Sequence, residues 1–348
     1  MAHRHSSAEL VTLMRQLAVM VNSGINLLEA LISLVPQVEN PKLKESLDDI
    51  VKRLNSGERL SLAAEAHPTV FGSLVVAMIR LGEESGALVR TLDLLSDWLE
   101  RDQRTLFRIR SALFYPGIVL SLSAVLMLLL FFFVLPAFVE VFSGFHIRLP
   151  IITQVILWMS QQLHQPLFWL LGLGLGLEIY RRLPTLWRRN RVAWMGWLRH
   201  LPGVGGAYRS ASLARLCSAL SCTLPVGVPI LRAWSLAAQS SGCPLIHQDA
   251  VRVVGCCREG ETLTEALEVE PLYPRSLVEM IRAGEESGQL DGLLKRLANL
   301  YELDLEHRLT LLAALLEPLL LAVISLVVIT LILALMLPLY TLIEQVIG

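Results

Sequence analysis

Two stretches of 19 residues carry no charged side chain, Gly117 to Leu135 and Leu319 to Leu337, and each is bracketed by prolines, Pro116 and Pro136 or Pro318 and Pro338. As helix, each extends about 28 Å, enough to cross the hydrocarbon core of a bilayer. The alternative, burial in a soluble core, would require two helices that are apolar all round within 348 residues. Membrane crossing is the simpler expectation.

The two stretches close two copies of a longer pattern. Met78-Ile79-Arg80-Leu81-Gly82-Glu83-Glu84-Ser85-Gly86 returns as Met280-Ile281-Arg282-Ala283-Gly284-Glu285-Glu286-Ser287-Gly288, identical at eight of nine positions with an offset of 202. Upstream, Gly24 to Ala30 parallels Gly227 to Ala233, and Gly57-Glu58-Arg59-Leu60 parallels Gly260-Glu261-Thr262-Leu263, here with an offset of 203. One residue was gained or lost between. A period this long describes one folded unit used twice, each copy leading into an apolar segment.

The composition, 54% hydrophobic but 18% charged with a mean hydropathy of +0.56, suits alternating soluble and membrane parts. A shorter apolar run lies between the copies, from Pro166-Leu167-Phe168-Trp169 through Gly172, Gly174 and Gly176 to Glu178 and Tyr180. Homologous domains should face the same compartment, so an even number of crossings must separate them. Residues 113–137 supply one crossing and 163–182 the other. Arginine placement agrees: Arg101, Arg104, Arg108 and Arg110 precede the first crossing, Arg181, Arg182, Arg188, Arg189 and Arg191 follow the second, and only Arg148 lies between. Both large domains are therefore expected in the cytoplasm. Arg308 precedes the last span and no Lys or Arg follows it, which places the C-terminus outside.

The expected organisation is a tail at 1–8, a cytoplasmic helical domain at 9–112, a transmembrane helix at 113–137 and a periplasmic loop at 138–162. A second transmembrane helix follows at 163–182, then a second cytoplasmic helical domain at 183–311, a third transmembrane helix at 312–338 and a short periplasmic end at 339–348. The start has no apolar run of the kind a signal peptide needs, so the first domain should stay where it is made. Apolar residues at Leu10, Leu13, Leu17 and Val21, and again at Leu43, Leu47, Ile50 and Leu54, follow a 3.6-residue period, and alternating β-branched runs are lacking. The fold class is an all-α membrane protein, with two homologous helical bundles and three transmembrane helices.

Several chemistries are excluded. None of the four lysines, Lys42, Lys44, Lys52 and Lys295, stands in a phosphate-binding loop, so the chain is not a Walker-type ATPase. Gly172-Leu173-Gly174-Leu175-Gly176 lacks a preceding strand and lies in an apolar run; its Gly172/Gly176 spacing suits close helix packing in a membrane. Neither proline-bracketed stretch holds an ionisable group of the kind an intramembrane peptidase or ion-coupled transporter needs. The five cysteines, Cys217, Cys222, Cys243, Cys256 and Cys257, show no zinc spacing and read as reduced thiols. No catalytic residue is expected.

In Gly-Glu-Glu-Ser-Gly, the first glycine can end one helix, the serine can cap the next and the second glycine permits a close turn. Glu83, Glu84, Glu285 and Glu286 would then be either helix-end acids favoured by the dipole or a surface for a partner. Glu317, next to Pro318, stays open between a helix-end carboxylate and a contact at the membrane surface. Trp187, Trp194 and Leu198 with Arg188, Arg189 and Arg199 read either as an interfacial helix on anionic lipid or as the first helix of the second domain.

Together these residues resemble the inner-membrane platform proteins of type II secretion and type IV pilus assembly, the protein F family. The resemblance covers nearly the whole chain and is carried by the duplicated Gly-Glu-Glu-Ser-Gly, Phe114-Tyr115-Pro116, Leu149-Pro150 with Thr153 and Ser160, the Gly-x-x-(Ile/Leu)-Leu-x-Ala turns and Glu317-Pro318. It implies a non-enzymatic, multi-pass inner-membrane protein that couples a cytoplasmic assembly ATPase to the growth of a fibre of pilin-like subunits. Other inner-membrane assembly proteins, membrane lipid and further copies of the chain are the remaining expected partners, with no nucleic acid. Members often carry a longer extension before the first repeat, and Asn26 stands where the second turn has Pro229, which should loosen the first turn. Some relatives hold calcium on acidic residues of the first domain; the full ligand set has no match here, so no cofactor is expected. The competing reading from another class is a subunit of an oligomeric small-molecule transporter.

Overall fold

The computed structural model describes residues 2–129, 132–133, 178 and 204–347, and among these it is helical without strands. The expected periplasmic loop, the second transmembrane segment with Gly172 and Gly176, and the tryptophan-rich stretch around Trp187 and Trp194 lie outside the described residues.

The first half consists of α1 (Ala2–Asn22), α2 (Leu27–Leu34), α3 (Pro41–Asn55), α4 (Leu60–Glu65), α5 (Ser73–Glu84) and α6 (Leu88–Leu129). The second half repeats the order as α7 (Val204–Thr223), α8 (Ile230–Ser240), α9 (Pro244–Arg258), α10 (Leu263–Glu268), α11 (Arg275–Ser287) and α12 (Leu290–Ile347). Residues 2–8, set apart above as a tail, already belong to α1, because no glycine or proline interrupts the helix there.

Each half starts as a helical hairpin turned by a glycine at positive φ, Gly24 at 88° and Gly227 at 93°. The first turn is not loosened by Asn26: its Oδ1 accepts from the Leu28 backbone N–H at 2.9 Å and caps α2, a bond that Pro229 has no side chain to make. Thereafter α3 packs on α4 and α4 on α5, as α9 packs on α10 and α10 on α11.

The described residues of 2–109 and 204–308 form one compact unit with a continuous hydrophobic core. Leu17, Leu43, Leu47, Met78 and Leu92 fill the first half of that core and Leu213, Leu216, Trp234 and Leu277 the second, all almost fully buried. The halves meet where α5 packs on α8, with the Cys222 thiol 3.8 Å from Met78 Sδ and Ser73 donating to Gln239 Oε1 at 2.9 Å. Arg101 reaches Asn299 at 2.6 Å and Glu302 at 3.7 Å, Arg108 reaches Glu306 at 3.3 Å, and Arg215 reaches Asp102 at 2.7 Å.

Two described helices, α6 and α12, are long and apolar enough to cross a membrane, and their apolar stretches expose Phe114, Leu122, Leu315 and Leu326. Neither ends at its proline. Pro116 lies inside α6 and Pro318 inside α12, where each removes one backbone hydrogen bond that the apolar turns on both sides outweigh. The remaining described residues of 110–194 and 309–348 group separately from the compact unit.

Candidate functional site

The repeated acidic motif is where sequence repetition and geometry coincide. Short α4 starts after Arg59, whose side chain makes no cap, so its first N–H groups need acceptors from elsewhere. Glu83, near the end of α5, supplies them: Oε1 accepts from the Leu60 N–H at 2.7 Å, and Oε2 accepts from the Ser61 N–H at 3.3 Å and the Ser61 hydroxyl at 2.5 Å. Glu285 serves α10 in the same way, accepting from the Leu263 N–H at 2.9 Å, the Thr264 N–H at 3.1 Å and the Thr264 hydroxyl at 2.5 Å. A carboxylate on the N-terminus of a helix also meets the favourable end of its dipole.

The arginine three residues earlier completes the grip. Arg80 pairs with Glu65, the last residue of α4, and Arg282 with Glu268, the last residue of α10. A carboxylate at a helix C-terminus opposes the dipole, and the guanidinium offsets that. Each copy of Arg-x-Gly-Glu therefore holds both ends of a six-residue helix from one turn of its neighbour.

The other motif residues differ from the sequence expectation. Gly82 does not end α5, which runs on to Glu84; a Cβ on Gly82 would lie 2.6 Å from Thr91 Oγ1 and 3.2 Å from Leu88 Cα, so the glycine lets α6 cross closely. Gly284 does the same, with a Cβ falling 3.0 Å from Leu290 Cα. Ser85 does not cap the next helix but closes its own, donating to the Leu81 carbonyl at 2.7 Å, and Ser287 donates to the Ala283 carbonyl at 2.6 Å. Gly86 and Gly288, at φ of 69° and 68°, then reverse the chain.

Of the remaining candidates, Glu84 and Glu286 are exposed beside the capping acids, and Glu317 is exposed on α12. Sequence reasoning treated the two glutamates of each motif alike; the missed signal was the Arg80/Glu83 spacing of one helical turn, repeated at Arg282/Glu285.

A separate polar cleft of about 920 Å³ lies along α3, lined by Lys42, Lys44, Lys52, Asp48, Asp49 and His67. Asp49 accepts from His67 Nε2 and from Arg53 Nε, both at 2.8 Å, and the bonds from His67 and then Arg53 hold its carboxyl below the ordinary value. Among the described residues no three His, Cys, Asp or Glu side chains are gathered so as to hold a metal ion. All five cysteines are free thiols; Cys217, Cys222 and Cys243 are buried, and burial pushes the Cys217 pKa up to about 12.

These features define a duplicated helical scaffold with two helices of membrane-crossing length, whose signature motif holds helix to helix. A family model described as type II secretion system (T2SS), protein F, matches residues 13–136 and again residues 216–338. The chain belongs to that family. It is 31% identical over 99% of its length to the type II secretion system protein F of Pseudomonas aeruginosa, covering 84% of that protein. It is 34% identical over 94% of its length to the type 4 fimbrial assembly protein PilC of Pseudomonas putida, covering 82%, and 27% identical over 94% to the type IV pilus assembly protein TapC of Aeromonas hydrophila, covering 80%.

Proposed function

We propose that this chain is a non-enzymatic inner-membrane platform of a type II secretion or type IV pilus assembly machine. It passes the work of a cytoplasmic ATPase to the assembly of a pilin-like fibre. In this reading three helices cross the membrane, both helical halves face the cytoplasm and the C-terminus is periplasmic. The observation that carries it is the double family match, each falling on a copy of the staple motif and running into an apolar segment.

The test is complementation of a deletion strain, reading secreted substrate and surface fibres together with co-purification of the assembly ATPase. Restored assembly with retained ATPase supports the reading; a folded, membrane-inserted chain that restores neither output removes it. Charge reversal at Glu84 and Glu286 separates contact from framework, because neither residue caps a helix. Loss of ATPase binding in those variants would assign the contact to them. Reporter fusions after Asn55, Arg258 and Gly348 test the topology, with only the last expected to report from the periplasm.

A further inference from the structure

The contact between the halves uses a donor face and an acceptor face that both have a repeat equivalent. The donor is one side of α5, where Ser73, Leu74, Ala77, Met78 and Leu81 fall together at helical spacing and Leu74, Ala77 and Met78 are buried. The acceptor is the α7–α8 hairpin, through Cys222 and Gln239. In the second half the donor positions become Arg275, Ser276, Glu279, Met280 and Ala283, four of them exposed and Met280 half-buried. That face has no apolar stripe to offer.

The acceptor in the first half remains apolar. Position 222 corresponds to Val19, position 228 to Ile25 and position 235 to Ile32 at the offset of 203. Cys222 and Val228 are 6% and 3% exposed, whereas Val19, Ile25 and Ile32 are 56%, 39% and 52% exposed. Ser33 Oγ lies 3.8 Å from Met20 Sδ, which sets positions 19–20 and 32–33 opposite each other across the α1–α2 hairpin. Three branched aliphatic side chains thus lie open on one hairpin, where the repeat buries the first two equivalents.

We infer that the exposed α1–α2 face of the first half is a docking site for an amphipathic helix of a different protein, in the position that α5 occupies on α7–α8. The occupant carries an apolar stripe at i, i+3 or i+4, and i+7, as α5 does. Neither donor face of a second copy fits: its α5 face is already buried against α8, and its α11 face carries Arg275 and Glu279. The heterologous geometry, donor on one half and acceptor on the other, is the kind that continues to a further partner and does not close on itself. The inference deepens the platform reading and rests on it for where the partner is to be sought.

The test places a photo-crosslinking residue at Val19 or Ile32 in the full chain, in cells carrying the assembly machinery, and identifies the adduct by mass spectrometry. The expected result is an adduct at both positions to a helical segment of one other protein. It should fall about tenfold when Ile32→Asp accompanies the Val19 probe, and should not form from Val251, which is 75% exposed on α9. Ile32→Asn is the second variant should the aspartate disturb folding, and it should weaken the same adduct. Adducts only between copies of the chain, only to lipid, equally from Val251, or none at all overturn the inference. Complementation in the same strain keeps the two readings apart. Assembly restored without an adduct removes the docking site alone, and an adduct without restored assembly removes the platform reading alone.

Discussion

Arg80 and Glu83, one turn apart on α5, grip opposite ends of α4: Glu83 accepts from the Leu60 and Ser61 amides at its start, and Arg80 pairs with Glu65 at its end. The two contacts are unequal. Glu83 satisfies part-buried backbone donors that would otherwise have no partner, whereas the Arg80–Glu65 pair is well exposed.

Glu83→Ala should therefore cost roughly 1–3 kcal/mol of local stability and Arg80→Met about 1 kcal/mol or less. Hydrogen exchange of the α4 amides in the full chain reads both. Glu285→Ala should accelerate exchange in α10 less than Glu83→Ala does in α4, because α10 has a second cap: Thr262 Oγ1 accepts from the Glu265 N–H at 3.2 Å, and Glu265 accepts from the Thr262 N–H at 2.8 Å. Equal exchange in all three variants would show that the motif does not staple the short helices.

The two glycines of the motif should fail for different reasons. Gly82→Ala places a methyl group against Thr91 and the α6 backbone and should destabilise by roughly 1–3 kcal/mol, as overpacking does. Gly86 has open space around it and needs only its positive φ, so Gly86→Asn should be tolerated better than Gly86→Ala. Thermal unfolding of the purified variants distinguishes a steric cause from a conformational one.

Asp49 predicts a pH dependence. Its folded-state pKa is lowered by the bonds from His67 and Arg53, so its stabilising contribution is present above the ordinary carboxylate range and is lost as pH falls through the depressed value. The wild-type protein should melt above Asp49→Asn at neutral pH, and the two curves should converge on acidification below about pH 4. A gap that stays constant to lower pH would show that packing, not charge, distinguishes them.

Thiol labelling checks the packing of the second half. Cys256 and Cys257 are half-buried and Cys217, Cys222 and Cys243 are buried. Maleimide should modify the adjacent pair in the native chain and all five thiols only after denaturation. Native labelling of Cys222 would mean that the contact between α5 and the second half opens in solution.

Helix placement was legible in the sequence wherever an apolar stripe met a breaker: Leu43, Leu47 and Ile50 mark α3, and Asn55-Ser56-Gly57 marks its end. The site was legible only as a repeated string. That Gly82 is a crossing point depended on Thr91 of the next helix, which no local rule connects to it. The prolines bracket the charge-free stretches in the sequence, and helical turns on both sides carry α6 and α12 past Pro116 and Pro318.

The amino-acid sequence by itself determined the duplication, the helical class and the two charge-free stretches of membrane-crossing length, because these depend on periodicity and composition along the chain. Tertiary structure decided which glutamate of each pair caps a helix, and which copy buries its donor face and which leaves its acceptor open. Equivalent positions of the two repeats, such as Val19 and Cys222, acquire different surroundings from residues distant in sequence. Burial is a property of those surroundings and not of the string.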